Sequence, residues 1–538
     1  MPKPKNKKFR ILYIFPQEVG KTSKYILTSI LRISNFLKSK NKEIPIPINE
    51  KYLDLRFERL PNYIPKNLDQ YRKKLKELLK SLNYKFPFDL VAISCYTSFE
   101  YLNSIEVASM IKFFINPNSL IVVGGYHPTF YPEDFHFPNI PKYFYEYYPQ
   151  EIVPFDFIIQ GEGEIPFFKL IKKLTSSSNK PPKKCVLLKK EIIQNLDSLP
   201  LINFDLFKKY QNNIHHINID FTRGCIFRCT ICLNSTNTIP YYNRIRYKSI
   251  NKCIDELKVI QKTKWLKNKV IFISDPIFFQ KKSYRKIFFS QFEQLKRNKK
   301  GFPFEIRVYD HVLLCSKEDL LSYKKLNIEP FLGFESASIS MLNILEKTYN
   351  KNKANLIHYI QKTEQIIKFS SKINLSVTID LIIGTPGETR ETIQENKRFF
   401  LEKRFEGKSL IEKYNCRLYI SKYKAYPFSK IYDDCESIHG GKIYYKKWWK
   451  SFLNNHRVFC RIVKPSKQLS FTKCLILNYE WLKEYISIAI KKSIKDYEKD
   501  DLKYLREGFL KLYLVYKNGI NNYDSFIPEV YNKFYVYP

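Results

Sequence analysis

Three cysteines stand close together in Phe221-Thr222-Arg223-Gly224-Cys225-Ile226-Phe227-Arg228-Cys229-Thr230-Ile231-Cys232, at spacing C-x3-C-x2-C. A loop carrying three thiolates this near one another can wrap a metal centre. Two metal chemistries are open. A zinc ion wants a fourth ligand, which the neighbouring residues do not offer. A four-iron–four-sulfur cluster needs only three cysteines for three irons and leaves the fourth iron for a small molecule. Structural thiols without metal are the plainer alternative. The alternating run Ile217-Asn218-Ile219-Asp220-Phe221 predicts a strand that delivers the chain into this loop.

The elements that must position such a loop are legible on both sides of it. Strands are expected over residues 9–16, 88–94, 119–125 and 155–164, with helices over 21–40, 68–83, 100–114 and from 166. That alternation predicts a doubly wound parallel sheet, whose ligands sit beyond the carboxyl ends of the strands. Small and polar residues collect at those ends: Ser94-Cys95-Tyr96-Thr97, Gly124-Gly125-Tyr126-His127-Pro128-Thr129 and Gly161-Glu162-Gly163-Glu164. Taken singly they read equally well as ordinary strand-to-helix turns. The Ser-, Pro- and Lys-rich stretch 174–197 has linker composition. Further strands are expected over 270–275, 304–308, 328–335, 375–384 and 417–421, a pattern that suits a partial (β/α) barrel with its chemistry at the strands' carboxyl ends. The tail reads as helical over 479–494 and 500–516.

In this order the motifs resemble the radical S-adenosylmethionine (SAM) enzymes, in the branch that carries a cobalamin (B12)-binding domain ahead of the barrel. The resemblance rests on the cysteine loop, the Gly124-to-Thr129 and Gly161-to-Glu164 segments, Asp275-Pro276-Ile277-Phe278, Gly333-Phe334-Glu335-Ser336 and Gly384-Thr385-Pro386-Gly387-Glu388-Thr389. It implies an α/β chain with a Rossmann-like cobalamin-binding domain over 1–173, a linker over 174–205, a partial barrel over 206–430 and a mainly helical tail over 431–538. Cys225, Cys229 and Cys232 would hold a 4Fe-4S cluster whose open iron chelates SAM. Asp275, Arg307, Glu335, Gly384 and Pro386 would contact SAM. Ser94, Thr97, Gly124, Gly125, His127, Thr129, Gly161 and Glu162 would line the cobalamin.

Three departures stand out. Ile231 replaces the aromatic often found before the last cysteine, Pro276 replaces the second Asp of D-D-x-F, and Ser429-Lys430 replaces a P-G-T after the barrel. The D-x-H-x-x-G motif is absent, so His127 is not read as an axial ligand. The implied reaction is radical methylation of an unactivated centre in a small-molecule or peptide substrate, fed by a reducing electron carrier such as flavodoxin or ferredoxin. Alternatives are a radical cyclisation or rearrangement, and a radical SAM enzyme whose first domain has lost cobalamin.

Composition narrows the partners. The net charge is +40 over 538 residues, but the lysines recur as scattered pairs such as Lys73-Lys74, Lys189-Lys190 and Lys491-Lys492. Scatter of this kind suits a solvated surface more than a nucleic-acid groove. An odd count of eleven cysteines with no export signal suggests reduced thiols in a cytoplasm. No run of eighteen apolar residues predicts a membrane span.

Overall fold

The computed structural model describes residues 8–20, 28–149, 154–176, 182, 184–235, 244–297, 302–350, 352–452 and 456–492. Two parallel sheets of six strands each organise the chain. The first contains β1 (Phe9–Phe15), β2 (Ile48–Asp54), β3 (Leu90–Ser94), β4 (Leu120–Gly124), β5 (Phe157–Ile159) and β6 (Val186–Leu188), in the order β2-β1-β3-β4-β5-β6. Its central strands are nearly continuous apolar runs because helices cover both faces, as Ile11 to Phe15 and Ile121 to Val123 show by their burial. Strand order reverses between β1 and β3, and a crevice opens at such a point.

Two strands of this sheet lie outside the sequence reading, and both are edges. β2 alternates exposed polar residues over its first half. β6 lies inside the stretch expected to be linker, so the domain runs on to Leu188. An edge strand pairs on one side only and leaves side chains in water; Val186 and Leu187 are 40% and 47% exposed. Linker-like composition and an edge strand are therefore compatible. The helix expected over 21–40 is found at Ser29–Ser39, with 21–27 outside the described residues.

The second sheet runs in sequence order: β7 (His216–Ile219), β8 (Val270–Ile273), β9 (Ile306–His311), β10 (Ile328–Glu335), β11 (Thr378–Ile383) and β12 (Arg417–Lys422). Each strand predicted from periodicity is present, and helices return the chain between them. One face buries Leu332, Phe334, Ile379 and Leu381. Residues of the opposite parity, among them Tyr309, Phe331, Asp380 and Tyr419, form the other face, where Tyr309 and Tyr419 are about half exposed. In the tail, helix Phe471–Lys491 packs on the barrel; the helix expected over 500–516 lies outside the described residues. No described helix is long and apolar enough to cross a membrane.

A buried network of alternating charges joins the two sheets. From the first domain, Arg32 meets Asp220 at 3.0 Å and Glu256 at 2.5 Å. Arg223, on the cysteine loop's approach, reaches back to Glu164 at 2.7 Å, Glu162 at 3.1 Å and Asp220 at 3.1 Å. Arg246 pairs with Glu162 at 2.5 Å and Lys248 with Glu256 at 3.0 Å. The tail is tied to the first domain as well, through Trp449 and Lys450 on Asp134 and through Arg457 on Glu18.

Candidate active site between the two sheets

The cysteine loop begins where β7 ends. Gly224 takes a φ of +93°, a backbone state that suits glycine. Two side chains just beyond β8 then hold the loop by its backbone. Asp275 Oδ1 accepts from the N–H groups of Phe221 and Thr222 at 2.7 and 2.9 Å. Gln280 accepts from the Ile226 N–H and donates to the Gly224 carbonyl, both at 2.9 Å. Farther along, the Thr230 N–H donates to the Leu345 carbonyl at 3.1 Å. This anchoring gathers Cys225, Cys229 and Cys232 into one apolar nest with Phe227 and Ile277.

Burial pushes the Cys225 thiol up to about 11 and the Cys229 thiol up to about 12, with Cys232 adding to both. Lys347, beside them, opposes that rise and is itself paired with Glu335 at 2.8 Å. Among the described residues no three Cys, His, Asp or Glu side chains are close enough together to hold one metal ion. Cluster ligands differ from such a group, because each thiolate takes a different iron.

The residues expected to meet SAM are distributed unevenly. Glu335 ends β10 with a φ of +64° and sits by Lys347. Gly384 and Pro386 form the turn after β11, and Gly384, at φ +76°, has open space where a side chain would be. Asp275 is wholly buried beneath the loop. Its Oδ2 has no hydrogen-bond partner, and burial pushes its carboxyl up to about 7. Arg307 is not brought to this end. It stands four residues before the end of β9, roughly 13 Å away at the usual strand rise, where it pairs with Glu305 at 2.6 Å and Glu329 at 3.0 Å.

Two residues missed from sequence do face the loop's surroundings. Asp380 interrupts the apolar strand β11; its Oδ1 is buried without a partner, and burial, reinforced by Glu335, pushes it up to about 7. A carboxyl inside an apolar strand is a signal that was readable. His311, at the end of β9, stacks on Phe227 with ring centroids 3.7 Å apart. No pattern in the sequence announced it.

Against the start of the loop, a cavity of about 350 Å³ opens over the carboxyl ends of the first sheet. Ser94, Gly124, Gly125, Thr129, Gly161 and Glu162 all line it, as do Arg223 and Gly224 from the barrel side. Thr97 and His127 do not. Thr97 turns its hydroxyl to Glu100 at 2.8 Å. His127 is fully buried, bonded to Ser98 at 2.8 Å and Asp134 at 3.2 Å, so it props the Gly-Gly turn from behind. Glu162 lines the cavity but spends its charge on Arg223 and Arg246.

Residues 219–400 match the Radical SAM superfamily. An uncharacterized methyltransferase of Pyrococcus horikoshii is 26% identical over 336 residues, which are 59% of this chain and 64% of that protein, just under two thirds of its length. Two solved structures share the fold. They are of TsrM, a radical S-adenosylmethionine methyltransferase from Kitasatospora setae, one with tryptophan substrate and a SAM analog bound and one with cobalamin and a [4Fe-4S] cluster bound. Both align with a TM-score of 0.56 at 14% identity, over 80–81% of this chain and 77–80% of theirs. The superfamily match spans the cysteine loop and the Gly384 turn, so residues 219–400 are similar to the Radical SAM superfamily, and the fold of most of the chain is the one TsrM has.

Proposed function

We propose that the chain is a cobalamin-dependent radical SAM methyltransferase acting on an unactivated centre of a small molecule or peptide. One observation carries this reading: Arg223 and Gly224 at the start of the three-cysteine loop line the glycine-walled cavity, and Tyr126 of that cavity lies within electrostatic reach of Cys232, so two cofactors bound at these places would be neighbours. The donor sets suit them. Two buried thiols and the half-buried Cys232 lie beside the Lys347 ammonium, which favours their thiolate forms against burial, and metal binding would displace their protons. At Gly125, a Cβ would lie 2.1 Å from the Cys95 carbonyl, while at Gly161 it would meet nothing within 4 Å and would enter the cavity. Ala92, Val122, Ile159 and Phe167 floor the same space with apolar surface. A bare turn above an apolar slot fits a broad, flat ligand with a tail.

Bound at these places, the cluster and SAM would supply a 5′-deoxyadenosyl radical and cobalamin would supply a methyl group. The chain's own residues do the positioning. Asp275 and Gln280 hold the loop backbone. Asp380 and Glu335 offer carboxyl oxygens toward the polar groups of SAM, and Gly384 leaves its backbone approachable. The open face of the barrel, with Phe272, Tyr309, Phe331 and Tyr419, gives the substrate an aromatic approach to the mouth. Reducing power comes from an electron carrier such as flavodoxin or ferredoxin.

The test is anaerobic reconstitution of the full chain with iron, sulfide and hydroxocobalamin, followed by assay for 5′-deoxyadenosine and for labelled methyl transferred from SAM. Cys229→Ala is expected to abolish 5′-deoxyadenosine release. Release at the wild-type rate from that variant would remove the cluster from the mechanism. Product formed without label would select cyclisation or rearrangement instead.

A further inference from the structure

Phe227 is the middle residue of the three between Cys225 and Cys229, and it shares one buried apolar cluster with both. Two other rings stack on it. His311 lies at a centroid distance of 3.7 Å with planes 15° apart, and Tyr349 at 4.5 Å and 27°. Rings this close and this parallel cannot share one face of a phenyl group, so they flank it. The stack runs from the interior to the surface: His311 is buried, Phe227 is 3% exposed and Tyr349 is 57% exposed.

The inner end is fixed. His311 closes β9, and its Nδ1 accepts the Leu313 N–H at 3.2 Å. Burial, with Lys347 and Lys362 nearby, lowers its tendency to take a proton, so the stacking partner is a neutral imidazole. A ring gripped at the centre of the C-x3-C segment fixes how both flanking cysteines leave the backbone.

We propose that the Tyr349–Phe227–His311 stack sets the geometry of the Cys225-to-Cys229 segment for its cluster and closes the cluster's outer side to water and small oxidants, with His311 as the positioning residue. This rests on the reading of the three cysteines as cluster ligands. Partners behind metal ligands commonly control affinity by roughly tenfold or more, and the stack is such a partner acting through the backbone.

The full chain is reconstituted anaerobically with ferrous iron and sulfide. Retention of iron against a chelator, the electron paramagnetic resonance spectrum of the reduced protein and the bleaching of cluster absorbance in air are then compared across variants. Phe227→Ala and His311→Ala are expected to lose iron roughly tenfold more readily and to change the resonance line shape. His311→Phe, which keeps a ring without the imidazole nitrogens, is expected to restore both. Tyr349→Ala, at an exposed position that leaves folding intact, is expected to keep its iron content and bleach faster. Wild-type bleaching by Tyr349→Ala, or a His311→Ala loss that His311→Phe does not restore, overturns the proposal. If Phe227→Ala does not fold, the Tyr349 and His311 variants decide. A wild-type chain that takes up no more iron than Cys229→Ala overturns the cluster reading itself.

Discussion

Buried carboxyl groups stand both at the seam between the two sheets and at the mouth, and their surroundings drive them in opposite directions. Burial alone would raise Asp220, Glu256 and Glu162 at the seam. Arg32, Lys248, Arg223 and Arg246 outweigh it and hold all three below the usual carboxylate range. At the mouth burial wins: Asp380 rises to about 7 and keeps one buried oxygen without a hydrogen-bond partner, while Asp275, beneath the loop, rises to about 7 from burial as well. The seam is complete as the chain stands and welds its parts together. The mouth is incomplete until something polar enters, which is the condition expected of a binding site.

Breaking the seam should have the largest effect. Arg32→Ala leaves Glu256 and Asp220 buried with fewer cations, and a stranded buried charge costs about 3–5 kcal/mol. Urea unfolding of the full chain would read this as a lower midpoint. Arg297→Ala is the control, since its pair with Glu293 is exposed. That change should stay below about 1 kcal/mol. Equal losses in the two variants would mean the seam is no weld.

A second contrast lies in the pH response. Glu388 follows the Gly384 turn and is pinned to the tail helix, accepting from Gly384 N–H at 2.9 Å and from Cys474 at 3.0 Å. Burial pushes it from 4.5 up to about 7. The folded chain therefore keeps a proton that the unfolded chain releases, and stability falls as pH rises from about 4.5 to about 7. Glu388→Gln never ionises. Its stability should match wild type near the lower pH and exceed it by about 2–3 kcal/mol at the upper. Parallel stability curves for the two chains would show that Glu388 carries no such strain.

How far these features could be read in advance depends on where their causes lie. The strands β7 to β12 were legible because their hydrophobic runs and bounding turns are local. The cysteine loop and the Gly124 and Gly161 turns were legible for the same reason. β2 and β6 were not, since an edge strand earns its place by backbone pairing and its half-exposed side chains look like loop. The seam was invisible: Arg32 and Glu256 lie 224 residues apart. His127 was assigned to the cavity wall from the resemblance that the Gly124-to-Thr129 segment carries. Only the fold shows its ring turned inward to Ser98 and Asp134. Arg307 was assigned on the resemblance, with an ion pair as the alternative, and the structure shows the ion pair, with Glu305 and Glu329.

The smallest stability effect, and the sharpest probe of the cavity, comes from its two glycines. Both have positive φ, +126° at Gly125 and +77° at Gly161, but their surroundings differ. A methyl group at Gly125 would meet the Cys95 carbonyl oxygen at 2.1 Å, so Gly125→Ala must displace backbone between β3 and β4. At Gly161 the same methyl touches nothing and stands in the cavity. Gly161→Ala should therefore lose only the left-handed backbone cost, about 1–2 kcal/mol, and the chain should still fold. If the cavity takes the corrin, that single methyl should weaken hydroxocobalamin binding while SAM binding at the barrel mouth stays at its wild-type value. Titration of both ligands into Gly161→Ala, followed by visible absorbance and by calorimetry, separates the outcomes: unchanged hydroxocobalamin affinity would place the corrin away from the Gly161 turn, and a parallel loss of SAM affinity would mean that the substitution had disturbed the seam rather than the cavity.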